Sequence, residues 1–339
     1  METILITGGA GFIGSNFIPY FLDEHPNYNI INLDLLTYAG DLDNLKEVVD
    51  NPNYKFIKGD INNRELLEFI FKEHNIRGVI HFAAESHVDN SIKNPGVFIE
   101  TNVNGTYTLV DVAKSFWMDK PFKYKKEYDN CRFHHISTDE VYGTLGEKGL
   151  FTEATPYAPN SPYSASKASS DMIVRSYHET FGLNTIITNC SNNYGPKQHQ
   201  EKLIPTIVRK AINGEDIPIY GDGKNIRDWL YVLDHCKGID LAFHKGKNGE
   251  TYNIGGRNEK TNLEIVDTIT TILNEKLPPK SRIGIDSYKE LITFVEDRAG
   301  HDRRYAIDAT KIEAELGWKA SENFSTGILK TIECYLNNQ

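Results

Sequence analysis

Apolar and polar positions along the chain switch period many times. Thr3-Ile4-Leu5-Ile6 is a short apolar run of the kind a strand covered on both faces requires. Ile30-Ile31-Asn32-Leu33, Tyr54-Lys55-Phe56-Ile57, Gly78-Val79-Ile80-His81-Phe82, Arg132-Phe133-His134-His135-Ile136 and Thr185-Ile186-Ile187-Thr188 repeat it. Between these runs, 63–74, 101–116, 161–181 and 202–213 read as helices. Strands alternating with helices predict a parallel sheet with helices on both faces. Residues 117–130 lack periodicity and are expected to form a polar insertion loop. Pro19 falls in the second turn of the helix pattern after Gly11, where a lost N–H and a ring clash cost about 3 kcal/mol. A kink or a late helix start is expected there. No internal repeat or low-complexity tract interrupts the alternation.

Composition narrows the class. At 339 residues, 39% hydrophobic and 25% charged, the chain can hold a large core or two domains and fits no disorder class. The first strand begins almost at once, without a basic-then-apolar leader, and no apolar run approaches the ~18 residues that span a bilayer. A cytoplasmic protein with no membrane contact is expected. A net charge of −10 argues against a nucleic-acid partner, so an anionic ligand needs a local basic pocket. Cys131, Cys190, Cys236 and Cys334 form no C-x-x-C and are expected to be buried reduced thiols, with no metal site and no disulfide.

The first strand leads into Thr7-Gly8-Gly9-Ala10-Gly11-Phe12-Ile13-Gly14. Gly8, Gly11 and Gly14 repeat at three-residue spacing, a variant of the turn in which backbone approaches a pyrophosphate at a helix N-terminus. The next strand ends in Asp34, twenty residues past Gly14, where a ribose-binding acid is expected. Its carboxylate would accept from a 2′-hydroxyl and repel a 2′-phosphate, which favours NAD over NADP. Asp60, after the third strand, would cap the turn or touch the adenine.

Tyr163 and Lys167 stand four apart on one helical face, so the ammonium can lower the phenol's pKa and ready it for proton exchange with a hydroxyl. Upstream, Ser137-Thr138-Asp139-Glu140-Val141-Tyr142-Gly143 offers a hydroxyl donor in Thr138 and two adjacent acids. Hydride transfer alone needs neither acid, so the pair implies a second reaction. A newly formed ketone acidifies the hydrogen on the carbon beside it. One carboxylate can then remove that proton while a carboxylic acid protonates a hydroxyl departing from the next carbon. The residues alone do not say which acid does which.

At these positions the chain resembles the extended short-chain dehydrogenase/reductases, and within them the nucleotide-sugar 4,6-dehydratases. The resemblance also includes His81-Phe82-Ala83-Ala84-Glu85-Ser86-His87-Val88-Asp89, Glu100-Thr101-Asn102, Asn192-Asn193-Tyr194-Gly195-Pro196, Glu201-Lys202-Leu203-Ile204-Pro205, Arg227-Asp228-Trp229-Leu230-Tyr231-Val232, Tyr252-Asn253-Ile254-Gly255-Gly256 and Gly300-His301-Asp302-Arg303-Arg304-Tyr305. It implies a Rossmann-type doubly wound parallel sheet with a smaller C-terminal α/β substrate domain. The NAD-binding part would be 1–190 with a return near 229–253, and 191–339 would be mainly the substrate domain. The implied function is dehydration of a nucleotide sugar, dTDP-glucose in the first instance, to a 4-keto-6-deoxysugar. NAD would be held tightly and the chain would be a homodimer, its seam at 101–116 and 161–181.

The resemblance makes Asp139 the acid and Glu140 the base, beside Thr138, Tyr163 and Lys167. It puts Gly8, Gly11, Phe12, Ile13, Gly14, Asp34, Thr37, Asp60, Ile61, Ala83, Ala84, Ser86, Thr101, Tyr163, Lys167 and Asn193 at the cofactor. Ser86, Thr138 and Asn192 would meet the sugar and Tyr220 the base, with Lys202, Leu203, Pro218, Asn262 and His301 also around the substrate. Arg227 and Arg298 would clamp the diphosphate, a planar guanidinium meeting two oxygens at once, with Arg303 a further positive group nearby. Lys197-Gln198-His199-Gln200 and Ala299 depart from the pattern on the nucleotide side. A nucleotide-sugar 4-epimerase would share the cofactor site, Thr138, Tyr163 and Lys167 but has no use for the acid pair. A non-catalytic NAD-sensing regulator would keep the glycine turn but need not retain Tyr163, Lys167 or the acid pair.

Overall fold

The computed structural model describes residues 2–297 and 300–337. Seven strands form one parallel sheet in the spatial order Thr251–Ile254, Thr185–Cys190, Arg132–Thr138, Ile76–His81, Glu2–Thr7, Tyr28–Asp34, Tyr54–Lys58. Its middle strands are continuous apolar runs because both faces are covered, and Ile4, Leu5, Ile6, Val79 and Ile80 are almost wholly buried. On one face pack Phe17 and Phe21 of the helix Phe12–Glu24 with Ile239 and Phe243 of Val232–Lys245. On the other lie Leu67 and Phe71 of Arg64–His74, Leu109 and Trp117 of Thr106–Trp117, and Val174 of Pro162–Phe181. Each such side chain contributes about 1.5–3 kcal/mol of burial. This is the Rossmann-type doubly wound sheet. Strand order reverses between Glu2–Thr7 and Ile76–His81, which opens a crevice at the carboxyl ends of these strands.

The later chain builds two small sheets. One joins Glu259–Thr261, Ile226–Tyr231 and Asn192–Tyr194, and the other pairs Ile217–Tyr220 with Ile292–Val295. Both pack with the helices Leu203–Asn213, Asn262–Lys276 and Phe324–Asn337 around a separate apolar core that includes Ile207, Trp229, Ile269 and Ile328.

Local expectations need correcting in three places. The helix Phe12–Glu24 starts directly after Gly11 and continues past Pro19, so it does not start late. The proline leaves Ser15 O without its helical donor, and Lys197 Nζ donates to that oxygen at 3.1 Å while pairing with Glu47 at 2.6 Å. Residues 117–130 are not all loop: Met118–Lys120 pairs antiparallel with Lys123–Tyr124. The helix expected over 101–116 begins as a π-helical turn, Ile99–Gly105. That wide turn brings the Asn102 side chain inward, where it accepts from Glu85 N at 2.8 Å and donates to Ser166 Oγ at 2.8 Å.

Away from the crevice, Asp240 Oδ1 lies 2.8 Å from both His25 Nε2 and His244 Nδ1. The pair of contacts ties the end of the Phe12–Glu24 helix to Val232–Lys245.

Candidate active site

The crevice is a cleft of 310 Å³. Its floor is the glycine turn. Gly8 has φ +73°, and a Cβ there would lie 2.5 Å from Ala83 N; a Cβ on Gly14 would lie 2.6 Å from Gly8 O. Only bare backbone fits, and no side chain caps the helix at Gly11, so the first-turn N–H groups are available to an anion. Asp34 is fixed at the end of its strand, Oδ2 accepting from Ala10 N at 2.9 Å and Oδ1 from Leu36 N at 2.8 Å. Burial raises its pKa against the opposing pull of these two N–H donors. Every residue that the sequence reading puts at the cofactor lines this cleft. The bare turn, the uncapped helix and the acid at the strand end suit a dinucleotide with a free ribose 2′-hydroxyl.

Tyr163 and Lys167 enter from the helix Pro162–Phe181, whose start is set locally. Ser161 Oγ accepts from Ser164 N at 3.1 Å, Ser164 Oγ accepts from Ser161 N at 3.0 Å, and Pro162 opens the first turn. Other groups oppose the lowering expected of Lys167. Burial raises the Tyr163 pKa well above the ordinary phenol range, and the neighbouring Glu140 raises it further. Lys167 Nζ donates to Ile136 O at 2.8 Å, and burial draws its pKa down to about 8 against the opposing pull of Asp171.

Thr138 ends the strand Arg132–Thr138 and caps the turn Asp139–Tyr142, its Oγ1 accepting from Glu140 N at 3.3 Å. The two acids differ in setting. Asp139 is 1% exposed, and its Oδ2 has no hydrogen-bond partner among the described residues. Burial first, then Glu140 and Asp228, push its pKa far up against the pull of Arg227, which favours the protonated acid. Glu140 is only half-buried. Thr138, Asp139, Glu140, Tyr163 and Lys167 all line the cleft.

The substrate residues divide. Ser86, Thr138, Asn192 and Lys202 line the cleft, and Lys202 Nζ donates to Ser86 O at 3.0 Å. Leu203, Pro218, Tyr220, Arg227, Asn262 and His301 do not. Arg227 is buried, donating to Ile226 O at 2.7 Å and Asp302 O at 2.9 Å with its guanidinium over the Tyr305 ring. Its fork is thus turned onto backbone carbonyls. His301 Nδ1 lies 2.6 Å from Asp297 Oδ1, and Arg303 pairs with Asp222 at 2.8 Å. Arg298 and Ala299 lie outside the described residues.

Tyr38, Gln198, His199 and Glu201 also line the cleft and were not assigned from sequence. They sit on irregular segments that carry no periodic signal, although Glu201 adjoins the assigned Lys202. Cys190 lines it too, its thiol pushed up to about 12 by burial. Cys131 and Cys236 are likewise buried and free, whereas Cys334 is only partly buried.

The family model described as GDP-mannose 4,6 dehydratase matches residues 5–331. A dTDP-glucose 4,6-dehydratase of Neisseria meningitidis is 52% identical over 340 residues, covering 100% of this chain and 94% of the relative. A crystal structure of dTDP-glucose 4,6-dehydratase from Bacillus anthracis in complex with NAD is 48% identical, with a TM-score of 0.87 and coverage of 100% of this chain and 98% of that one. The dTDP-glucose 4,6-dehydratase of Streptomyces venezuelae with NAD and TYD bound is 43% identical, with a TM-score of 0.88 and coverage of 99% and 98%. With this match along nearly its whole length, the chain belongs to the GDP-mannose 4,6-dehydratase family.

Proposed function

We propose that the chain is an NAD-dependent dTDP-glucose 4,6-dehydratase, a hydro-lyase that forms a 4-keto-6-deoxyglucose nucleotide and water. The observation that carries this reading is the contrast between Asp139, buried with its pKa pushed up, and its half-buried neighbour Glu140. Environments that push two acids apart assign one as acid and the other as base. A 4-epimerase needs neither.

Bound NAD supplies the hydride store, accepting at C4 and returning at C6. Tyr163 takes the 4-hydroxyl proton, with Thr138 donating a hydrogen bond to the same oxygen and Lys167 holding the ribose. Glu140 takes the C5 proton once C4 is a ketone. Asp139 gives its proton to the 6-hydroxyl, which leaves as water, and C5 is then reprotonated. Asp34 selects the cofactor by its 2′-hydroxyl. Ser86, Asn192 and Lys202 hold the sugar and diphosphate, and Arg227 and Arg298 would complete the clamp once Arg227 swings from its carbonyls.

Two further readings accompany this one. Tyr107 and Met172 are 48% and 49% exposed on Thr106–Trp117 and Pro162–Phe181, an apolar face that suits a homodimer seam. Free buried thiols suit the reducing cytoplasm, and no described helix is long and apolar enough to cross a membrane.

The test is incubation of the purified protein with dTDP-glucose, reading loss of one water by mass and the alkaline absorbance of the keto sugar. Epimerised sugar of unchanged mass would overturn the reading. Crosslinking that yields only monomer at micromolar concentration would overturn the dimer.

A further inference from the structure

Asp171 follows Lys167 by one turn of the helix Pro162–Phe181 and is completely buried. Its Oδ2 accepts from Ser137 Oγ at 2.8 Å and from Tyr157 OH at 2.9 Å, and its Oδ1 lies 3.1 Å from His135 Nε2. Lys167 Nζ is 3.4 Å from that same Nε2. These two approaches set the His135 ring between the Lys167 ammonium and the Asp171 carboxylate. The ring is neutral, because burial and then Lys167 hold its pKa far below the usual value. The ammonium also donates to Ile136 O at 2.8 Å.

The surroundings are otherwise poor in compensating charge. From the strand Ile76–His81 the His81 ring lies 5.2 Å from that of His135, and it too is neutral through burial. The Cys190 thiol faces Lys167 from Thr185–Cys190, and the Tyr142 and Tyr157 phenols face Asp171 with their pKa values raised. Asp139 and Glu140 face Tyr163. Among these groups Asp171 favours the Lys167 ammonium most. A buried charge stripped of its partner is strongly destabilised.

We propose that Asp171 is a positioning residue for the C4 oxidation. Its buried charge keeps Lys167 an ammonium beside Tyr163, and its bond to Ser137 ties the Tyr163–Lys167 helix to the strand that ends in Thr138. The kinetic part rests on the dehydratase reading; the charge pairing does not.

Asp171→Asn keeps the shape and the bonds from Ser137 and Tyr157 but removes the charge. With dTDP-glucose, the single-turnover appearance of reduced cofactor is followed against pH. Both limbs should move down in pH: the one set by Lys167 losing its proton by about one unit, and the one set by Tyr163 because a negative charge near the phenol is gone. The rate should fall while KM changes little, and Asp171→Glu should return the limbs toward their original positions. A lower rate with unmoved limbs would overturn the proposal.

A second measurement needs no turnover. Lys167→Met strands the carboxylate and should lower Tm, and adding Asp171→Asn should recover much of the loss. Losses that simply add would overturn the pairing. If the unmodified protein forms neither reduced cofactor nor keto sugar, the dehydratase reading fails while this stability cycle still decides the electrostatic claim.

Discussion

At the scale of single residues, two neighbours of like chemistry are separated by burial alone. The sequence names Asp139 and Glu140 but cannot divide their roles. The division comes from the fold, which closes Asp139 in and leaves Glu140 half open. Glu140→Gln should therefore oxidise C4 and stall, accumulating reduced cofactor and a 4-keto-glucose nucleotide; dehydration at the unmodified rate would remove Glu140 from the base role. Asp139→Asn should slow water loss by about 10²–10⁴-fold, the usual worth of general acid catalysis. Solvent deuterium should still enter C5, and equal slowing of exchange and elimination would count against the acid assignment. Asp34→Ala should narrow a preference for NAD over NADP, measured by calorimetry. Arg227 shows what residue type cannot reveal: a guanidinium among apolar neighbours reads as an anion clamp, yet its direction is set by the Ile226 and Asp302 carbonyls and the Tyr305 ring.

Elements were legible where their ends are local. Residues 161–181 were read as a helix that is observed as Pro162–Phe181, because a serine pair and a proline fix its start and Gly182, at φ 72°, its end. Ser161→Ala should cost about 1 kcal/mol and lower Tm. It should also slow C4 oxidation more than it changes KM, because Tyr163 stands in that first turn; an unchanged Tm would show that the reciprocal serine bonds contribute nothing. Elements set by distant contacts were not legible. The short strand pair in 117–130 is held by Lys125 Nζ on Phe116 O at 2.7 Å and by Phe122 N on Phe181 O at 2.7 Å. The π turn at Ile99–Gly105 accompanies Asn102 bonding to Glu85 and Ser166, a partnership no local pattern announces.

For the whole molecule, alternation of buried strands with helices was enough to identify the large sheet. The later sheets were harder to foresee because their strands run only three to six residues, too short to show a period. The buried charges make global stability a function of pH. Burial pushes the Asp171 pKa up from 3.8 to about 6. A raised carboxyl pKa means that the folded state holds the proton more tightly. Its contribution is present below pH 3.8 and is lost as pH rises through about 6. Asp171→Asn lacks this loss, so its Tm relative to the unmodified protein should rise between pH 4 and pH 6. A constant difference across that window would place the carboxyl's titration elsewhere.

The proline inside the cofactor helix has a consequence for how stability and order are linked. Its freed carbonyl at Ser15 gives Lys197 a place to dock, and Lys197 begins the segment that continues through Gln198, His199 and Glu201 along the cleft wall. The helix therefore gives up one internal bond and gains a tether on the loop that Lys197 begins. Pro19→Ala would restore the internal bond and make the ammonium share the Ser15 carbonyl. Melting temperature and loop order should then move in opposite directions: a higher Tm, but faster amide hydrogen exchange across 197–202 and a weaker hold on the nucleotide sugar. In that balance a helix-breaking residue serves as a latch, and a variant selected for heat resistance alone would lose it.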